Sequence, residues 1–275
     1  MNLHTLTSPP RPRGPLFGRG ILVTRPARQS EGFARRLAAL DATPIIWPAI
    51  VIEPPLDRAA LDRAHAELAG YDFAFFISAN AAEYGAPPVG RWPAGLPAYA
   101  PGPGTVEALA AVGVPEARCP TTSYDSEGLL ALPELAWVHG KRAVVFRGEG
   151  GRETLADTLI ARGAQVESVV CYRRRAPEGG AEGLVDALAH GRVHAITLTS
   201  SEGAENLVRA VGERGLRWLA RLPAFVPHPR IAERVRALGL DARLTDGGDA
   251  GLIAGLLDWA ADAGPPAGSN IETRD

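Results

Sequence analysis

GILVTRPARQSEGFARRLAAL, residues 20–40, opens as a short apolar, β-branched run and passes through a proline-marked turn. It then repeats apolar residues at helical spacing. RAVVFRGEGGRETLADTLIARG, residues 142–163, does the same, and at an offset of 122 residues Arg25 falls on Arg147 and Leu37 on Leu159. Working outward, FAFFISANAA (73–82) matches AITLTSSEGA (195–204) at that offset, placing Ser78 over Ser200. LPAYAPGPGTVEALAAVGV (96–114) matches LPAFVPHPRIAERVRALGL (222–240) at an offset of 126, with Pro97 over Pro223 and Gly113 over Gly239. Three blocks in one order define two copies of one unit, at a period far too long for a solenoid. Strand alternating with helix in both copies predicts parallel sheets with helices on both faces.

The composition fits that reading. The 275 residues are about two domains long, with 46% hydrophobic and 22% charged residues and a formal net charge of −2. This gives no nucleic-acid footprint for the chain as a whole. Cys119 and Cys171 stand far apart, in neither a CxxC nor a Cys/His cluster, which argues against a zinc site or disulfide scaffold and suits a reducing cytosol. No apolar run approaches membrane-spanning length. Residues 1–19 read as a disordered leader without the apolar segment of a signal peptide, and 264–275 as a disordered tail.

VVCYRRRAP (169–177) gathers three arginines behind a tyrosine. One reading is an edge strand blunted by charge; the other is a binding cleft for an acidic substrate. The duplication acts as a filter here, since features shared by both copies serve folding and those in one copy are free for function. Tyr172 falls over Ile50, and the arginines fall over VIE, so tyrosine and cations belong to one copy only.

The ordered series ILVTRP, FFISANAA, APGPGTVEAL, DSEGLL, RGEGGRETLADTLIARGA, VVCYRRRAP, TLTSSEGAENL and FVPHPRIAERVRALG resembles the uroporphyrinogen-III synthase family from about Gly20 to Trp259. The chain departs at Ile77 and Ala82, where the family usually has Thr and Val, and at Ala100-Pro101 in place of Val-Gly; these are core or turn positions. The resemblance implies an α/β fold of two similar parallel-sheet, flavodoxin-like domains joined by a two-stranded β ribbon. Domain 1 would be discontinuous (20–47 and 177–263), domain 2 would span 55–168, and the ribbon would be 48–54 with 169–176. Tyr172 would then face a cleft at the hinge.

The resemblance implies a cytoplasmic, monomeric lyase of heme and porphyrin biosynthesis, needing no cofactor and no metal. Its substrate would be hydroxymethylbilane, cyclised with loss of water and inversion of ring D through a spiro intermediate. Because the bilane closes unaided without inversion, such an enzyme enforces a conformation more than it supplies a strong acid or base. Tyr172 is the catalytic candidate, donating a hydrogen bond to the departing hydroxyl. Carboxylate arms need donors, and loops entering helices at strand ends supply them. The candidates are Ser78, Ala79 and Asn80; Gly104 and Thr105; Arg147, Gly148, Gly150 and Gly151; Ser200 and Ser201. For each loop a plain helix cap is an equal reading. Arg25, Arg147 and Arg230 lie at strand ends or junctions where they could pair with carboxylates. Arg174, two residues from Tyr172, is the better-placed cation on that strand. His228 is either an acid–base group or a turn residue. Expected partners are the small-molecule substrate and a transient contact with the preceding pathway enzyme, with no nucleic acid and no membrane. Rival readings are a non-catalytic tetrapyrrole-binding or sensing module of the same fold, and a nucleotide- or sugar-binding α/β protein. The second is weakened by the lack of a Walker loop or a complete GxGxxG.

Overall fold

The computed structural model describes residues 13–150 and 153–264, which divide into two compact units with boundaries at Val51/Ile52 and Arg175/Ala176. Elements are numbered along the chain. The unit containing both ends of the described chain holds β1 (Gly20–Val23), α1 (Ala27–Ala38), β2 (Thr43–Ile46), α7 (Glu182–Ala189), β8 (Ala195–Thr197), α8 (Ser201–Leu219), β9 (Pro223–Val226), α9 (Pro229–Ala237), β10 (Asp241–Leu244) and α10 (Gly248–Ala263). Its sheet is parallel, in the order β10-β9-β8-β1-β2. The other unit holds β3 (Val51–Glu53), α2 (Ala59–Ala66), β4 (Phe73–Phe76), α3 (Ala79–Gly85), β5 (Ala98–Tyr99), α4 (Pro103–Ala111), α5 (Ser126–Leu130), β6 (Arg142–Gly148), α6 (Thr154–Ala161) and β7 (Gln165–Arg175). Its order is β3-β7-β6-β4-β5, parallel from β7 to β5. Each sheet sets a strand pair of one repeat beside a pair of the other: β1 and β2 with β8 and β9, and β6 and β7 with β4 and β5.

Central strands covered on both faces must be apolar along their length, and every residue of β1 is buried. Side chains alternate between faces. Leu22 joins the core beneath α7, α8 and α9, while Ile21 and Val23 join the core beneath α1 and α10. In the second sheet Phe76, Val144 and Phe146 pack on one side with α2, α3 and α4, and Phe75 and Val145 on the other with α5 and α6. Phe76 stacks on Phe146 with centroids 4.7 Å apart. Emptying one such aromatic site costs about 3–5 kcal/mol.

The repeats also share their helix starts. Ser78 caps α3 by accepting from the Ala81 N–H at 3.0 Å, and Ser200 caps α8 by accepting from the Gly203 N–H at 3.0 Å. Gly102 and His228 cap α4 and α9, each followed by proline at the first helical position. Where β1 and β8 begin, the Gly20 N–H donates to His194 Nδ1 at 2.9 Å and the His194 N–H donates to the Gly20 carbonyl at 2.8 Å. α8 is broken at Gly212, whose φ of 61° interrupts the helical backbone.

One boundary needs correction. Residues 1–12 of the expected leader, and 265–275 of the expected tail, lie outside the described residues, but 13–19 pack as part of the first unit. Leu16 is fully buried and its N–H donates to the Leu40 carbonyl at 3.0 Å. The Arg19 guanidinium lies 4.4 Å from the centre of the Trp259 ring and donates to the Ala260 carbonyl at 3.2 Å. Burying one leucine stabilises by about 1.5–3 kcal/mol, enough for this short apolar piece to escape the character of its proline-rich surroundings. Among the described residues no helix is long and apolar enough to cross a membrane.

Candidate functional site

The features that distinguish the second unit concentrate where β6 and β7 end. Their register runs regularly to Arg147 opposite Val170 and then jumps, so that Gly148 stands opposite Tyr172. The extra residue, Cys171, breaks the alternation as a β-bulge does, and two consecutive residues, Cys171 and Tyr172, are buried. Tyr172, expected to face a cleft, is only 5% exposed and belongs to the core packed beneath α3. Its ring lies against Gly148, where a Cβ would stand 2.5 Å from the tyrosine Cζ. Tyr84 of α3 flanks it with centroids 6.3 Å apart. The phenol oxygen is 3.2 Å from Ser78 Oγ, a part-buried contact, and Ser78 itself is half-buried, so the hydroxyl lies at the rim of the core. The Cys171 thiol donates to the Arg147 carbonyl at 3.3 Å, and burial pushes its pKa up to about 12, which leaves it an inert packing group.

The arginines divide by strand face. Arg173 and Arg175 both reach Glu53 on β3, at 2.7 and 2.5 Å. The hydrogen bond from Arg175, followed by the charges of Arg175 and Arg173, holds the Glu53 carboxyl below the usual range against the opposing effect of desolvation. Arg174, between them, is exposed. Arg147, expected to await a substrate carboxylate, is instead 5% exposed. It pairs with Glu153 and donates from Nη2 to the Gly150 carbonyl at 2.8 Å, while its buried Nε has no hydrogen-bond partner. It braces the loop after β6, where Gly150 adopts φ 70°. Gly151 lies outside the described residues.

Other predicted residues are also engaged internally. Arg25 pairs with Asp249 at 2.7 Å and lies 4.5 Å over the Phe33 ring, so its guanidinium is not held in reserve for a ligand. Thr105 is buried and is not the α4 cap, which is Gly102; Gly104 is exposed with open space above it. His228 Nδ1 accepts from the Arg230 N–H at 3.1 Å, so through that nitrogen the ring serves as a helix cap. The Arg230 side chain is exposed. Ser200 is likewise a cap, Ser201 opens α8, and Ala79 and Asn80 form the half-buried first turn of α3.

Reasoning from sequence missed Glu53 and the pairing of Ser78 with Tyr172. The first had a signal, because Glu53 falls over Arg175 at the offset of 122. The second had none, because it depends on the bulge.

Such a molecule belongs to the class of open, parallel α/β proteins, with its candidate groups at the carboxyl ends of strands, where ligands of this class bind. A family model described as Uroporphyrinogen-III synthase HemD matches residues 31–246. The uroporphyrinogen-III synthase of Salmonella typhimurium is 34% identical over 83% of this chain and 96% of its own length, and that of Escherichia coli 35% identical over the same shares. Two solved structures have a similar fold. The uroporphyrinogen III synthase of Thermus thermophilus, as a mutant, has a TM-score of 0.55 and 18% identity over 90% of this chain and 100% of its own. That of Helicobacter pylori has a TM-score of 0.55 and 12% identity over 88% and 99%. The chain belongs to the uroporphyrinogen-III synthase family.

Proposed function

We propose that this chain is a uroporphyrinogen-III synthase, closing hydroxymethylbilane to uroporphyrinogen III with loss of water and inversion of the last ring. The observation that carries the reading is membership of the family over nearly full length, with curated relatives of that name matched across 96% of their own chains. The terminal hydroxyl leaves the first ring as water while that pyrrole nitrogen loses its proton, giving an azafulvene. The substituted α-carbon of the fourth ring attacks it to form a spiro intermediate, which fragments and recloses with that ring turned around. Tyr172 donates a hydrogen bond to the departing oxygen and stabilises the charge that develops there. Its placement at the rim of the core, fixed by Gly148 and Ser78, supports that role.

Within the second unit, carboxylate arms are met by the first turns of α3 (Ala79, Asn80) and α4 (Gly104) and by the exposed cation Arg174. We take the two units to be flavodoxin-type domains, linked by chain crossings at 48–54 and 169–176. For the first unit this rests on the strand order β2-β1-β8-β9-β10, which in chain order is 2-1-3-4-5, and for the second on its likeness as a repeat, with β7-β6-β4-β5 in the places of β2-β1-β8-β9. The reaction fits the cytoplasm, in keeping with two free cysteines, and the unstable bilane is most simply received by transient contact with the enzyme that makes it. The test is incubation of the purified chain with freshly prepared hydroxymethylbilane, then oxidation and separation of isomers. The type III isomer is expected. Type I alone, as forms without enzyme, overturns the reading, and tight binding of product without turnover would favour a sensing module.

A further inference from the structure

We propose that Ser78 is a positioning residue that fixes the direction of the Tyr172 hydroxyl, so that the phenol's proton is turned toward substrate. The proposal rests on the role of Tyr172 given above and names the device behind it. As the α3 cap, Ser78 Oγ already accepts the Ala81 N–H at 3.0 Å. A hydroxyl that accepts one hydrogen bond becomes a better donor for the next. The contact with Tyr172 at 3.2 Å is therefore best made with Ser78 as donor and the phenol oxygen as acceptor. Three groups then point one way: the Ala81 amide to the serine, the serine to the tyrosine, and the tyrosine outward. The opposite direction would spend the phenol's proton on Ser78 and leave nothing to donate.

The duplication provides an internal comparison. In the other unit Ser200 caps α8 through the Gly203 N–H in the same way, and Ile50 occupies the place of Tyr172. A Cβ at Gly203 would lie 3.8 Å from Ile50 Cδ1, so the isoleucine does sit beside that cap. The capping serine is thus an architectural feature of both repeats, and one repeat has added a phenol to receive its proton. The serine needs no change to acquire the second task.

The experiment uses the full chain with hydroxymethylbilane, measuring kcat and KM for type III formation and the melting temperature. Ser78→Gly removes the hydroxyl, and glycine is among the residues favoured at a cap position. We expect its kcat to fall roughly tenfold, the cost of about one neutral hydrogen bond, with KM close to wild type and a melting temperature lowered about as much as in Tyr172→Phe, which loses the same contact. Ser78→Thr, which keeps both acceptor and donor, restores the rate. In a Tyr172→Phe background Ser78→Gly has no further effect, because the serine acts only through the phenol. An equal loss in both backgrounds, or wild-type kcat in Ser78→Gly while Tyr172→Phe is impaired, overturns the positioning role and leaves that of Tyr172 standing. Full activity of Tyr172→Phe overturns both.

Discussion

Gly148→Ala is the sharpest perturbation the structure offers, because it moves the Tyr172 hydroxyl without removing it. The added Cβ would stand 2.5 Å from Tyr172 Cζ and 2.8 Å from both Cε2 and the phenol oxygen. Ordinary contact begins near 3.4 Å, so the ring has to withdraw by about 1 Å, a distance that costs on the order of 10²-fold when a catalytic group is misplaced. Gly148 does not have a positive φ, so alanine brings steric displacement and no backbone strain. Moving the ring also disrupts its 3.2 Å contact with Ser78. We expect kcat for type III product to fall roughly 10²-fold, about 2.7 kcal/mol of transition-state stabilisation. Overpacking should destabilise the fold by about 1–3 kcal/mol, a lowering of the melting temperature of roughly 2–4 °C per kcal/mol at this size. Isomer analysis and thermal unfolding of the same preparations read both quantities. In a Tyr172→Phe background the alanine should cost little more in rate, because the displaced group no longer donates. A Gly148→Ala protein with wild-type kcat refutes the reasoning, as does a full 10²-fold loss on top of Tyr172→Phe.

Tyr172→Phe should lower kcat by roughly 10²-fold with little change in KM; because the phenol is buried against Ser78, a loss of about 1 kcal/mol in stability should accompany it in urea titration. Arg147→Ala should act on stability first, by about 1–3 kcal/mol, since it removes a buried side chain tied to Glu153 and to the Gly150 carbonyl; chemical denaturation checks this, and a loss of substrate affinity at unchanged stability would contradict it. His194 is held below its ordinary value of 6.5 by burial and then by the charge of Arg19, partly offset by a hydrogen bond to the Arg192 backbone. The unfolded chain therefore binds more protons, and the stability His194 contributes is present above pH 6.5 and lost as pH falls toward its lowered folded value; melting temperatures of wild type and His194→Gln should converge over that interval.

The sequence determined the α/β class, the repeat and the family by itself, because each is written in local pattern. β1 is apolar along its whole length and β6 from Ala143 to Phe146, as central parallel strands must be, and the serines at 78 and 200 precede helices in both copies, where a cap is needed. The single-copy character of Tyr172 was legible in the same comparison. What only the tertiary structure decided is what each polar group touches. Arg25, Arg147 and His228 carry the right chemistry for a ligand, yet Asp249, Glu153 and the Arg230 amide, brought near by folding, already occupy them. Leu16 lay in a stretch whose composition reads as disorder, and only the cavity beneath α1 and α10 gave it a place. The register jump at Gly148 turned Tyr172 inward beside Cys171, against the alternation a regular strand would impose. A strand's residue types specify which groups are available, but a one-residue bulge is a property of two strands paired. The contact between Ser78 and Tyr172, 94 positions apart in the chain, exists only once that pairing is made.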